Sequence, residues 1–491
     1  TFHPGTPGTE YISYTDIDGT SRTMAWGGTQ YTYYGFNHNN VEAAIHATTN
    51  ADVKFNKFYF SGTPARIGLA VGGANYGNGS TVTSEGNQFR IYNDAHTGVA
   101  VFRTANNVGT FNDKDSIYEI RSSAGASTGI YNEGGVVNLT NPTFTVAKAG
   151  SNGIYNVKGA GVDGVLRTTG GTYTVSASAN ILTNKAYASI NGGNFYVDAK
   201  AANAINSSKT LSVNNGTFRL RAQESNLITN TGDAHIYGNN GSFTLDSNAQ
   251  ESSAIYNAVA TPNELTVSDQ SFNIYSDKSN GINNKTGIAS ISGNTFTVTG
   301  DQSNGITNAG ELRIRGNNNN FTVSGSKSSG IYNTGKVTGQ NVTFKLNSPG
   351  SKSNGLINNG TDLVSLTDST FYVYQNESNG INNAKAGGTI KLLRTDFNVG
   401  DPATGGTTSG YKSNGIANLA TLSTYEGTFT INGQNANGIL DEKTATTETK
   451  YTNFIVSNKA YRSNAISTDG QLDTYGGDFT INAQQSNGII T

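Results

Sequence analysis

The chain of 491 residues carries 32 Lys and Arg against 34 Asp and Glu, and its net charge of −2 leaves no basic field to hold nucleic acid. The absence of Cys excludes disulfides and thiolate metal sites. Only 34% of residues are apolar and 61 are Gly, which borders on a disordered composition, yet 25 Tyr, 21 Phe and frequent Val and Ile call for packed strands.

The first stretch, TFHPGTPGTEYISY, has neither the basic start nor the apolar core of a secretion signal. No run of about 18 apolar residues is long enough to cross a membrane as a helix. Residues 1–125 read as an aromatic-rich N-terminal region of early coils or a cap. They hold His3, His38, His46 and His96, the single Trp26 and Met24, and the cluster Tyr31, Tyr33, Tyr34 and Phe36. Rings with polar tips anchor binding surfaces and stack on sugars, so Trp26, Tyr31, Tyr33, Tyr34 and Phe36 are candidate binding residues. A solenoid end also needs a cap over its core, and both readings stand.

From 126 to 491 one small unit is rewritten. Aligned on the apolar residue of SNGI-like tetrapeptides, it recurs at Ile130, Ile154, Leu182, Ile205, Ile228, Ile255, Ile282, Ile306, Ile331, Leu356, Ile381, Ile416, Ile439, Ile466 and Ile489. Most steps are 23 to 28 residues, and the step from 381 to 416 is the large exception. Each period also carries an aromatic followed two residues later by a branched apolar residue, as in Phe144/Val146, Phe296/Val298 and Phe429/Ile431. A weaker pair completes the period, as in Leu265/Val267 and Leu312/Ile314. Three stretches of alternation separated by Gly, Asn and Asp predict three short strands per coil of about 25 residues. One such coil cannot bury its own apolar face, so coils must stack. The predicted fold is all-β, a right-handed parallel β-helix of about fifteen coils, on the order of 70 Å long at one strand spacing per coil. Upstream, Phe89/Ile91/Val99 and Tyr118/Ile120/Ile130 keep the same spacing, and Phe58, Phe60 and Leu69 follow it loosely.

The polar columns have a structural purpose. Asn stands two residues after the aligned apolar residue at Asn132, Asn156, Asn230, Asn308, Asn333 and Asn383, among others. Stacked amides would donate to one neighbour and accept from the other, satisfying groups that are costly to bury alone. The Asn two residues before it (Asn152, Asn226, Asn280, Asn304, Asn354) and the preceding Ser read as a turn, and the following Gly as a source of positive φ or close approach.

Signals for catalysis are thin. Asp277 and Asp301 share a column on adjacent coils, but two like charges on an exposed turn are ordinarily solvated. The segment GASTG around Ser127 matches G-x-S-x-G, a motif that works only at a strand-to-helix elbow, while Ser127 sits in an ordinary coil position. No metal or cofactor motif appears, and an enzyme is not expected. The repeat breaks once, where GDPATGGTTSGYK (400–412) replaces a short turn. Insertions in repeat proteins gather on binding faces, which makes Asp401, Thr407 and Tyr411 candidate binding residues. A tolerated surface insertion is the competing reading.

The coil segments SNGIYN (151–156), SSGIYN (328–333) and SNGINN (279–284, 378–383), interleaved with GTFTI or NTFTV, resemble passenger domains of type V autotransporters, most of all the large outer-membrane adhesins of fusobacteria. The resemblance covers roughly 120–491. It implies a segment on the extracellular side of a bacterial outer membrane, anchored by a barrel that is not in this chain. Its partners would be a host cell-surface protein or glycan, or other bacteria, with no cofactor. The chain stops at SNGIIT within its own repeat, and an excerpt of a longer protein is expected. The alternatives are a β-helical polysaccharide-active enzyme or tailspike-like protein, and a passive surface stalk.

Overall fold

The computed structural model describes residues 11–15, 21–25, 43–47, 51–53, 58–60 and 67–491, except 73–80, 93–95, 105–106 and 348, with side chains from residue 67 onward. The chain divides into two compact units, Thr1–His235 and Ile236–Thr491. Each is a parallel β-solenoid with three short strands per coil and about 25 residues per coil, and the described residues contain no helix.

One coil of the second unit shows the plan. Asn304–Asn308, Glu311–Arg315 and Asn319–Val323 each pair, parallel and in register, with the equivalent strands one coil later. Their burial alternates as the sequence does. Ile306, Leu312, Ile314, Phe321 and Val323 point inward and are essentially fully buried. Removing an Ile or Phe side chain from water contributes about 1.5–3 kcal/mol, so the five inward residues are a main source of stability in each coil. The first unit follows the same plan through Thr128–Glu133, Val136–Thr140 and Thr143–Val146. Upstream the frame extends as expected, with Phe58 in register with Phe89, and it continues one coil earlier, where Ile45 is in register with Leu69. Before it, Tyr11–Thr15 and Ser21–Ala25 pair antiparallel.

The aromatic column is a continuous pile of rings in each unit. In the second, Phe272, Phe296, Phe321, Phe344 and Phe371 stack at centroid distances of 4.6, 4.6, 4.9 and 4.5 Å, nearly coplanar. Each such contact adds about 0.5–1.5 kcal/mol beyond area burial. In the first unit two members are tyrosines. The Tyr118 hydroxyl donates to Asp113 Oδ2 at 2.8 Å, and the Tyr173 hydroxyl bonds Thr168. Asp113, Leu139 and Thr168 occupy one column, each five residues before its aromatic, and the Phe144 coil has the apolar Leu139 there. In the Tyr118 and Tyr173 coils the polar member of this column satisfies the ring hydroxyl.

An amide column runs through each unit. In the first unit Asn132 donates to Asn156 at 2.8 Å and Asn156 to Asn184 at 2.9 Å. In the second, Asn284, Asn308, Asn333, Asn358 and Asn383 pass donors along at 2.7, 2.7, 3.0 and 3.0 Å. Asn230 is also fully buried, bonding Gly232 through both its oxygen and its nitrogen. None of these residues takes a positive φ.

Three details differ from the sequence reading. The Asn two residues before the apolar position begins the strand rather than turning the corner, and forms a second amide ladder, buried or half-buried: Asn379 to Asn354 at 3.0 Å, Asn414 to Asn379 at 2.9 Å. The Ser before it is buried and forms a third ladder, in which the Ser279 N–H donates to Ser303 Oγ at 3.0 Å and the Ser303 N–H to Ser328 Oγ at 3.1 Å. The Gly is needed for close approach alone. A Cβ on Gly305 would lie 2.7 Å from the Gly330 carbonyl oxygen and 2.9 Å from the Phe321 ring. The positive φ falls instead on the residue before the Ser, such as Gln302 at 56°.

One member of the amide column is an acid. Asp441 accepts from Asn418 at 3.0 Å and Thr447 at 2.7 Å, and burial raises its carboxyl above the usual range against those bonds and one from Thr468. A carboxyl raised in the folded state contributes stability that is complete below its unfolded value of 3.8 and is lost as pH climbs through the folded value. Asp441→Asn restores a donor to the ladder. It is expected to raise stability at neutral pH by about 1–3 kcal/mol, and to remove the decline between pH 3.8 and neutrality. Chemical unfolding at several pH values checks both effects.

Candidate functional site

Every coil of the second unit has corners where strands end and side chains turn outward. At the corner after Thr421–Tyr425, Thr446–Lys450 and Gln471–Tyr475, tyrosines follow one another. Tyr425, Tyr451 and Tyr475 are 36%, 58% and 55% exposed; Tyr475 belongs to the last coil, where Leu472, Phe479 and Ile481 are also only half-buried. Backbone bonds set their order: Glu426 N–H to the Lys450 carbonyl at 3.0 Å, Tyr451 N–H to the Tyr475 carbonyl at 2.8 Å. Tyr425 and Tyr451 meet edge to face at 5.7 Å and 88°. Gly476 makes room, because a Cβ there would lie 2.8 Å from the Tyr451 ring.

Charges frame this ridge. Lys450 lies 5.5 Å over the Tyr475 ring and is held by Glu448 at 2.7 Å, which raises the Lys450 ammonium and lowers the Glu448 carboxyl. Arg394 grips Asp368 through two bonds of 2.6 and 3.0 Å. Glu426 raises the Tyr425 hydroxyl. Rigid rings with donors and acceptors alongside can stack on a flat apolar face and read its polar substituents.

The inserted segment occupies the corner between Asp396–Val399 and Asn414–Asn418. It is bonded to its surroundings throughout. The Asp401 carboxylate accepts the Ala403 N–H at 2.8 Å, and its carbonyl accepts the Gly405 N–H at 2.7 Å, so Asp401 closes the loop's own turn. Ser409 donates to the Tyr374 carbonyl at 3.1 Å, and Gly406 N–H to the Asn432 carbonyl at 3.0 Å. Tyr411 N–H donates to Asn376 Oδ1 at 2.9 Å. Asp401 and Tyr411 are half-buried and Thr407 is exposed. Tyr372 and Tyr374, unmarked in the sequence reading, form an edge-on pair at 5.8 Å, and burial together with Asp401 raises the Tyr374 hydroxyl. The ring candidates Trp26, Tyr31, Tyr33, Tyr34 and Phe36 lie outside the described residues.

The carboxylates elsewhere serve the backbone. Asp277 Oδ1 accepts the Asp301 N–H at 2.8 Å, and Asp301 Oδ1 accepts the Ser326 N–H at 2.7 Å. Ser127 belongs to the buried Ser ladder, accepting from the His96 N–H at 3.1 Å. Among the described residues no three His, Asp or Glu side chains are grouped to hold a metal ion.

The tyrosine ridge left a trace in the sequence. Tyr425 and Tyr475 share one outward column with Lys450 between them, and Tyr451 stands one residue further on, so the rings recur near the coil period at positions that a search for core columns passes over.

No family model matches the chain, and no curated protein matches it. Among solved structures it is similar to the surface protein and adhesin PfbA of Streptococcus pneumoniae, at 9% identity over 91% of each chain with a TM-score of 0.14. A second structure of PfbA aligns at 11% identity over 90% of this chain and 83% of that one, with a TM-score of 0.16. A mutant tailspike protein of E. coli bacteriophage HK620, solved in complex with a pentasaccharide, aligns at 10% identity over 89% and 72%, with a TM-score of 0.23. Likenesses this distant carry no functional assignment.

Proposed function

We propose that the chain is an extracellular adhesin segment that attaches to host-cell receptors, glycans or other bacteria, displayed at a bacterial outer-membrane surface in the manner of an autotransporter passenger. It acts by binding, without covalent chemistry. The observation that carries this reading is the ridge of Tyr425, Tyr451 and Tyr475, exposed on consecutive coils of a backbone fixed by three polar ladders and a ring stack. A rigid scaffold loses little entropy on binding, so partly exposed rings serve as anchors at small cost. Asp277 and Asp301, the acid pair nearest to a catalytic arrangement in sequence, have carboxylates engaged by backbone N–H groups.

Retention of the intact chain on an array of glycans and cell-surface receptors tests the reading. At least one partner should be retained by the intact chain. The double variant Tyr425→Ala/Tyr451→Ala should bind it about tenfold or more weakly, the loss expected of aromatic anchors. An array that retains nothing, or a double variant that binds like the parent, overturns it.

A further inference from the structure

The inserted segment lies at a second corner of the second unit, away from the tyrosine ridge in each coil, and the column it interrupts has an unusual composition. On ten coils the residue after this corner's bend takes a left-handed φ of 53–58°: Glu251, Lys278, Gln302, Lys327, Lys352, Glu377, Lys412, Asn435, Arg462 and Gln485. None is Gly, although a non-Gly residue there costs about 1–2 kcal/mol. The corner therefore displays a file of long polar side chains at strand spacing.

Two pairs close the early part of this file, Lys278 with Glu251 at 3.7 Å and Lys352 with Glu377 at 3.4 Å. After Glu377 the character changes. Lys412 and Arg462 each follow a tyrosine and lie over its ring, Lys412 at 5.3 Å from the Tyr411 centroid and Arg462 at 5.2 Å from that of Tyr461. Backbone bonds place Asn435 between them: Lys412 N–H to the Gln434 carbonyl at 3.0 Å and Asn435 N–H to the Tyr461 carbonyl at 2.9 Å. The insertion adds a wall along this stretch. It runs beside Gly433, with which Gly406 forms a bridge, and reaches Lys459, whose ammonium donates to the Ala403 carbonyl at 3.3 Å. Among the described residues, no carboxylate lies within ion-pair distance of Lys412, Lys459 or Arg462.

We infer that this corner is a binding site for an acidic oligosaccharide, one whose sugar rings carry carboxylate or sulfate groups. The Tyr411 and Tyr461 rings lie two coils apart, roughly 10 Å at one strand spacing per coil, a separation that suits alternate sugars of one extended chain. Lys412, Lys459 and Arg462 face the anionic groups, and the amides of Asn435 and Gln485 meet hydroxyls. Arg462 already shares Gln485 Oε1 with the Tyr461 hydroxyl, at 2.8 and 3.0 Å, so its guanidinium is held in place before a ligand arrives. The insertion walls this stretch of the corner from one side. Nucleic acid, the other stacking polyanion, fits less well: three cations are few for a phosphate backbone, and the chain as a whole is net negative.

Calorimetric titration of the full chain with four probes of equal length tests the site: a heparin-derived sulfated oligosaccharide, an oligosialic acid, a neutral glucan and single-stranded oligothymidine. At least one acidic sugar should bind, and binding should weaken as salt rises. Lys412→Gln/Arg462→Gln should lower its affinity about tenfold or more, the expected loss of charge-assisted hydrogen bonds, while Lys391→Gln on a neighbouring strand leaves it unchanged. Tyr425→Ala/Tyr451→Ala should also leave it unchanged, which separates this site from the tyrosine ridge. Sulfated and sialylated arms distinguish the source of the acid. Binding of the neutral glucan as tight as the acidic sugars, binding of oligothymidine as tight or tighter, or full affinity in the double-Gln variant overturns the inference.

Discussion

Ile306→Asp is expected to lower the stability of the unit Ile236–Thr491 by about 4 kcal/mol or more, enough to abolish its cooperative melt near physiological temperature. The side chain is fully buried between Ile282 and Ile331, its register partners on the coils before and after, and both are also fully buried. A carboxylate there would meet no donor, and even its neutral form would leave a hydroxyl without a partner. In a solenoid each coil contacts only its neighbours, so one broken interface uncouples those on either side. Ile306→Val removes a single methylene and should cost only about 0.5–1.5 kcal/mol. Thermal unfolding followed by circular dichroism distinguishes the two, and an Asp variant that melts with the parent places Ile306 outside the core.

Phe321→Ala should cost about 3–5 kcal/mol, the transfer of a buried ring plus the cavity left behind. Its ring lies between Phe296 at 4.6 Å and Phe344 at 4.9 Å, so truncation opens a gap in the stack and leaves two ring faces without contact. The gap has no simple way to close, because the strands above and below are fixed in register by backbone bonds and amide ladders. Phe321→Leu, which keeps most of the volume, should cost less than about half as much. Equal losses for Ala and Leu in denaturant unfolding would show that the ring contacts contribute nothing beyond area.

The period, the three strands and the inward columns could be read from the sequence because a solenoid repeats one solution. Ile306, Phe321 and Asn308 each face the same environment in every coil, so the same residue type returns. The corners were less legible. Asn304 and Asn308 are the same amide at different levels of one strand, and both their ladders and a turn would favour Asn. The Gly of SNGI was half understood: Gly305 is required by the neighbouring backbone and the Phe321 ring, while the left-handed conformation falls on Gln302, a residue that gives no sign of it. Asp401 and Tyr411 were marked because the repeat breaks there. Tyr425, Tyr451 and Tyr461 were not, because outward positions vary freely and a recurring ring among them draws little notice. Asp113 and Thr168 became intelligible only once Tyr118 and Tyr173 were seen to need partners inside a column of Phe.

On the proposed function, stability and recognition use different residues of the same coil. The inward columns and ladders hold the backbone still, and the corners carry whatever the surface presents. The most direct measurement is retention of four proteins on one array of glycans and cell-surface receptors: the parent chain, Tyr425→Ala/Tyr451→Ala, Lys412→Gln/Arg462→Gln and Ile306→Val. The account predicts that the parent and Ile306→Val retain the same partners, while each corner variant melts like the parent, binds the partner of its own corner about tenfold or more weakly, and keeps the partner of the other corner. A parent chain that retains no partner, or corner variants that bind as the parent does, would contradict it.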